Sequence, residues 1–225
     1  MIFVTGDTHG MQDIIKIKQA CENNILSEHD YIIIAGDFGG IWDKSTFFQN
    51  LSFYSRLKCT ILFVDGNHEN FDELNNFPVE TWKGGKVHRI TMNLIHLIRG
   101  EIYDIDGISI LAIGGAESTD KIYRVPRISW WEEESISEAD IASALSNLKI
   151  RKNNVDYIIT HTCAEKHINK CMRERRPDHY SQNSEKMLNT INLICNYKKW
   201  FFGHWHLDMD VSDKVRAIYN DIIRI

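Results

Sequence analysis

The sequence predicts an α/β fold: a mixed sheet, or two sheets packed together, with helices outside. Three observations carry that reading. The first half alternates short apolar runs with helix-like segments, and the middle strings four short apolar runs close together. Five polar clusters hang on the ends of apolar runs, and open α/β sheets bind ligands beyond the carboxyl ends of their strands.

Taken in order, Ile2–Thr5 is the first apolar run, and residues 13–22 carry Ile14, Ile15 and Ile17 in a helix-like mixture. Tyr31–Ala35 (YIIIA) is too short for a helix and rich in β-branched residues. Residues 45–57 place Phe47, Phe48, Leu51, Tyr54 and Leu57 near helical spacing, and Thr60–Val64 (TILFV) is the third run. Strand, helix, strand, helix, strand implies right-handed crossovers and a parallel sheet. Such strands read as unbroken apolar runs because both faces are covered.

Residues 87–90, 94–98, 101–105 and 108–113 form the close group, expected to be antiparallel. Asp106-Gly107 between the last two is a hairpin signal. Lys83-Gly84-Gly85-Lys86 lacks the P-loop spacing and reads as a turn. Residues 114–134 make a long connection. Ser137 opens a helix to about residue 148, with Asp140 completing a capping box. Strands are expected at 155–160 and Lys199–Phe202, a helix at 184–195, and one or two closing strands within 215–225. No repeat or linker divides the chain, so one domain over 1–225 is expected.

The charge balance of 26 Lys and Arg against 31 Asp and Glu gives −5, which offers no global pull toward nucleic acid. The five cysteines (Cys21, Cys59, Cys163, Cys171 and Cys195) are odd in number and contain no C-x-x-C, so neither a disulfide framework nor a thiolate metal site is indicated. No leader is expected before the first strand, and no apolar run approaches the ~18 residues of a membrane span. A reducing, cytoplasmic setting with no membrane partner is therefore expected.

The five clusters are Gly6-Asp7-Thr8-His9-Gly10, Gly36-Asp37, Gly66-Asn67-His68-Glu69, Thr160-His161-Thr162 and Gly203-His204-Trp205-His206. Asp7 and His9, two apart in extended backbone, would point to one side and could hold one metal. Asp37 has two oxygens, enough to bridge two cations. Asn67 offers a neutral oxygen, and His68 beside it can face a substrate instead. His204 and His206 repeat the i, i+2 pattern. Each cluster alone has a bland counterpart, such as a turn Asp, a helix N-cap or a buried His. Together they supply the mixed oxygen and nitrogen set that a two-metal hydrolytic site requires.

In order and in residue type, these blocks resemble the calcineurin-like metallophosphoesterases: D-x-H, G-D, G-N-H-E, a lone His, then G-H-x-H. The resemblance runs from Asp7 to His206 and implies a two-sheet αββα sandwich. It implies that Asp7, His9 and His206 hold one metal, that Asn67, His161 and His204 hold the second, and that Asp37 bridges them. It gives His68 the protonation of the leaving oxygen. Two divalent ions (Mn, Fe or Zn) fit such ligands, and they supply hydroxide near neutral pH. The second block reads Gly36-Asp37-Phe38-Gly39-Gly40-Ile41 and lacks the further Asp and Arg of the protein phosphatases of this superfamily. The chain thus looks more like the small bacterial and phage-encoded phosphoesterases, with Asp43 or Asp65 as candidates to orient His68.

A substrate phosphate needs another cationic partner. Arg124 and Arg127 lie in the long connection, near Tyr123, Trp130 and Trp131. Guanidinium forks match phosphate oxygens, and long loops are often functional. Residues 166–176 form a second basic run, read first as a solvated helix face and loop. The expected activity is hydrolysis of a small phosphomonoester or phosphodiester. A nuclease, with nucleic acid as substrate, and a non-catalytic metal-stabilised binding module are the alternatives.

Overall fold

The computed structural model describes residues 1–42, 44–173, 175–176 and 179–225, with residues 44 and 45 described by backbone alone. The expected parallel units are present. Strand β1 (Ile2–Thr5) leads to helix α1 (Ile15–Glu22), then β2 (Tyr31–Ala35), α2 (Lys44–Tyr54) and β3 (Thr60–Val64). These three strands pair parallel, in register from Ile2↔Tyr31 and Tyr31↔Thr60. After the short helix α3 (Phe71–Leu74), capped by Asn70, come β4 (Val79–Trp82), β5 (Gly85–Arg89) and β6 (Leu94–Leu97).

The middle strands do not form one antiparallel group. β5 pairs antiparallel with β4 on one side and β6 on the other, but β6 lies parallel to β3. The chain then crosses to a second sheet through Gly100, where β7 (Glu101–Ile105) and β8 (Ile108–Ile113) make the hairpin. Asp106 and Gly107 both take positive φ (51° and 83°), as a tight hairpin turn demands. Lys83 and Gly84 do the same between β4 and β5.

Helix α4 (Glu138–Ile150) starts at the expected Ser137–Asp140 capping box. Then follow β9 (Tyr157–Thr160), α5 (Glu165–Met172), α6 (Asn183–Ile194) and β10 (Lys199–Phe202). Three short strands close the chain: β11 (Met209–Ser212), β12 (Val215–Ala217) and β13 (Ile223–Arg224). The sheets run β13-β1-β2-β3-β6-β5-β4 and β11-β12-β10-β9-β8-β7.

Strand alternation builds the layers. Val4, Ile33 and Val64 of the first sheet meet Ile110, Ile159 and Phe201 of the second in a shared core. Phe3, Ile32 and Phe63 point the other way, toward α1 and α2 through Ile17, Tyr54 and Leu57. Leu111, Ile158 and Trp200 face outward in the second sheet, packing on Ala144, Ile168 and Leu188 of α4, α5 and α6. This is the two-sheet sandwich with helices outside. It places the loops after β1, β2, β3, β9 and β10 together at one edge.

Candidate metal centre

Each of the five loops carries one polar cluster, and four of them open on a glycine: Gly6, Gly36, Gly66 and Gly203. Gly36 sits at φ 95°, and a methyl group on its Cα would overlap the His161 ring. A side chain at Gly203 would run into the Asp7 carboxylate. These glycines let the loops of the two sheets close onto one another.

The loops are tied by backbone as well. The Asp37 carbonyl accepts from the Thr8 and His9 amides at 3.1 and 2.9 Å, and the Phe38 carbonyl from Gly10 at 2.8 Å. The buried Glu69 carboxyl accepts from Phe38 N at 2.7 Å, which fixes the third loop to the second. Burial, with Asp37 and Asp65 nearby, pushes Glu69 well above the usual carboxyl range.

Two groups of candidate ligands result. Asp7, His9 and His206 bring one donor atom each within 4.8 Å of one another, and so do Asp37, His161 and His204. His206 Nε2 lies 3.1 Å from Asp7 Oδ2. Asp37 stands between the groups: Oδ1 is 3.2 Å from His161 Nε2, and Oδ2 is 3.5 Å from His9 Nε2. Asn67 Oδ1 joins the second group, 3.0 Å from His161 Nε2.

The i, i+2 histidines reach these places by a different backbone from the one expected. His9, Asp37, His204 and His206 all have positive φ, between 42° and 65°. They lie in tight left-handed turns and not in extended segments, a strained conformation typical of functional sites. The turns send His204 and His206 to different groups.

Electrostatics in the absence of metal agree with a site built for cations. Burial opposes charge on His9, but hydrogen bonds to Asp37 and Asp13 and the charges of Asp37 and Asp7 raise it to about 9. Burial also opposes charge on His161, where Asp37 and Asp7 again prevail and raise it to about 9. His204 is held well below its ordinary value by burial and by neighbouring His161. The carboxylates therefore attract positive charge from whatever surrounds them. Oxygen and imidazole donors around a shared carboxylate fit divalent first-row ions.

Sequence reading missed the support behind Asn67. Its Nδ2 donates to Ser118 Oγ at 3.2 Å, and Ser118 Oγ donates to Glu134 Oε2 at 2.6 Å, all within buried side chains. This chain of bonds sets the amide so that its oxygen faces the ligand group. Ser118 and Glu134 sit at the two ends of the long connection, so only the folded loop brings them together.

His68 and Arg124 meet: Arg124 Nη2 is 3.2 Å from His68 Nε2. Guanidinium only donates, so this nitrogen accepts and the ring is neutral. Burial lowers His68, Asp37 opposes the drop, and Arg124 adds to it. Arg124 also pairs with Asp120 at 2.8 Å. Arg127 is not brought to this cavity; it is 60 % exposed and held by Asp72 and by Glu133 at 3.2 Å. Asp65 does not orient His68 either. It is buried in a separate cluster, with His96 Nε2 at 3.1 Å and Arg99 Nε at 2.8 Å. Asp43 lies outside the described residues.

The cavity over these residues has a volume of ≈ 500 Å³ and is also lined by Trp205, Arg175 and Arg176. The basic run is thus only in part a solvated face: α5 buries Ile168, Cys171 and Met172, and the residues after it reach the site.

Residues 1–208 match the family described as calcineurin-like phosphoesterase. The chain belongs to that family. Metal-dependent hydrolysis of phosphate esters and the use of divalent metal ions are the family's general chemistry. Among solved structures, the calcineurin-like chain is similar to phosphopantetheinyl hydrolase (PptH) from Mycobacterium tuberculosis, at 14% identity and TM-score 0.42, covering 97% of this chain and 87% of that one. It is also similar to the sulfate thiohydrolase SoxB of Thermus thermophilus, at 11% identity and TM-score 0.39, covering 94% of this chain but 37% of that one. No curated protein sequence matches it. Among the described residues, no helix of this phosphoesterase is long and apolar enough to cross a membrane.

Proposed function

We propose that this phosphoesterase hydrolyses a small phosphorylated compound at a dinuclear centre. Asp7, His9 and His206 hold one divalent ion, Asn67, His161 and His204 the other, and Asp37 bridges them. The observation that carries the reading is Asp37 itself. Each of its oxygens faces a histidine of a different ligand group, at 3.2 and 3.5 Å. Bound ions supply Lewis acidity and a hydroxide nucleophile at neutral pH.

The protein's own residues do the rest. Arg124 exchanges His68 for an oxygen of the incoming phosphate, a charge-assisted bond stronger than the one it leaves. His68 Nε2 is then free to carry the proton that the leaving oxygen requires. The ≈ 500 Å³ cavity is of a size suited to small ligands, and the acidic charge balance gives no reason to prefer nucleic acid.

The test is hydrolysis of p-nitrophenyl phosphate and bis-p-nitrophenyl phosphate by protein loaded with Mn²⁺, alongside a metal count. Two ions per chain with turnover that EDTA abolishes is the expected result. Two ions per chain without turnover under Mn, Fe, Zn, Co or Ni would leave a metal-stabilised binding module instead.

A further inference from the structure

The cavity wall formed after α5 is not needed for the phosphate that is cleaved. Two divalent ions bring four positive charges, and Asp7 and Asp37 remove two. One hydroxide removes a third, and Arg124 is already balanced by Asp120 at 2.8 Å. A bound phosphate ester with one negative charge on the attacked group is thereby neutralised. Arg175 and Arg176 nonetheless line the same cavity.

These two arginines differ from Arg124, the other arginine that lines the cavity, and from most arginines of the fold. Arg89, Arg99, Arg124, Arg127, Arg151 and Arg216 each sit on a carboxylate. Among the described residues, neither Arg175 nor Arg176 pairs with a carboxylate. Arg175 donates to the Cys171 carbonyl at 3.2 Å, and the Arg176 guanidinium lies 5.8 Å from the Trp205 ring centre. Both are exposed, with donors left to give.

A second hollow of ≈ 430 Å³ adjoins the first and shares His9 and His68 with it. Its wall includes Met11, Gln12, Trp42 and Asn50, and among the described residues it carries no Arg, Lys, Asp or Glu. His68 therefore stands on the boundary between this hollow and the arginine-lined one. A group leaving from the His68 side would have this second hollow to enter, with the half kept on the phosphorus toward the arginines.

We propose that the substrate is an ester whose retained half carries a second phosphate, as in a diphosphate ester of a neutral alcohol, and that Arg175 and Arg176 bind that second phosphate. This rests on the phosphoesterase reading above. In the reaction a hydroxide oxygen bonds to phosphorus and the P–O bond to the neutral group breaks. The departing oxygen takes the proton carried by His68 Nε2 and leaves as an alcohol, and the second phosphate stays with the attacked one.

The experiment compares methylenediphosphonate with methylphosphonate by calorimetry on Mn²⁺-loaded protein, using the native chain, Arg175→Ala, Arg176→Ala and the double variant. Neither probe is hydrolysed, so binding is read apart from turnover. The native chain is expected to prefer the diphosphonate by about a hundredfold, since each charge-assisted contact is worth about tenfold or more. The double variant should lose most of that preference, hold methylphosphonate within about twofold and keep its Mn²⁺ content. Arg→Lys replacements should restore part of it, charge being kept but the fork lost. Equal binding of both probes by the native chain, or an undiminished preference in the double variant, overturns the proposal. So does tight, arginine-dependent and strongly salt-dependent capture of a single-stranded oligonucleotide without diphosphonate preference, which would assign the wall to a nucleic-acid strand. An arginine-dependent preference in protein that cleaves no aryl phosphate would leave the anion site standing and remove the phosphoesterase reading alone.

Discussion

At the scale of single residues, Asp37 and His68 are neighbours with separable tasks. Asp37→Ala removes an oxygen from each ligand group, so the variant is expected to retain less than one Mn²⁺ per chain by elemental analysis. His68→Ala leaves every proposed ligand in place. It should bind metal normally and lose about a hundred- to ten-thousandfold in kcat, the usual worth of a positioned proton donor. Loss of metal from His68→Ala would make His68 a ligand instead. Ser118 is predicted to act only through Asn67. Ser118→Ala releases the Asn67 amide to turn its NH₂ toward the cation, and affinity for one of the two ions should fall about 10- to 100-fold. Titration with Mn²⁺ should then resolve a tight and a weakened site, where loss of both in parallel would contradict the role. Of these three residues only the first two were legible in the chain. Asp37 and His68 follow strands directly and are flanked by Gly36 and Gly66. Ser118 stands 51 residues from the amide it supports, within a loop whose course no periodicity encodes.

Among the elements, strands read most clearly where they are buried on both faces. β1, β2 and β3 coincide with their β-branched apolar runs, and β10 with the aromatic run Trp200-Phe201-Phe202. Polar edge strand β4 was missed, because Val79 and Thr81 alternate with partly covered Glu80 and Trp82 and give no apolar run. The left-handed turns at His9 and His206 were also beyond local reading, since their strain is held by partners in other loops. β5 and β6 carry a pairing with a consequence for stability. His88 and His96 are direct cross-strand partners, with their Nδ1 atoms 3.0 Å apart. Burial, with the charge of His96, lowers His88 to about 4. Unfolded chains protonate this histidine near 6.5, so between pH 6.5 and 4 the unfolded state binds more protons and stability falls as pH drops. His88 is expected to cost about 2 kcal/mol over that window. His88→Phe should flatten the acid limb of Tm against pH between 7 and 4, and an unchanged limb would show that other groups set it.

For the whole molecule, the decisive property is that each ligand group is drawn from both sheets. Asp7 and His9 follow β1, whereas His206 follows β10; Asp37 and Asn67 follow β2 and β3, whereas His161 and His204 follow β9 and β10. Metal bound at a thousandfold excess over its Kd stabilises the folded chain by about 4 kcal/mol. Stripping the ions with EDTA should therefore lower Tm by about 10 °C in a protein of this size. A shift below about 2 °C would mean that the sheets hold their spacing without help. Such a centre also works as a gauge of alignment between the two layers. Phe201 lies in the shared core with Ile33 and Ile110 and touches no candidate ligand among the described contacts. A smaller side chain there lets one sheet settle against the other, and donor atoms a few ångströms apart register that slip before the sandwich melts. Metal content thus becomes an assay for core packing, readable in variants whose thermal unfolding still looks native.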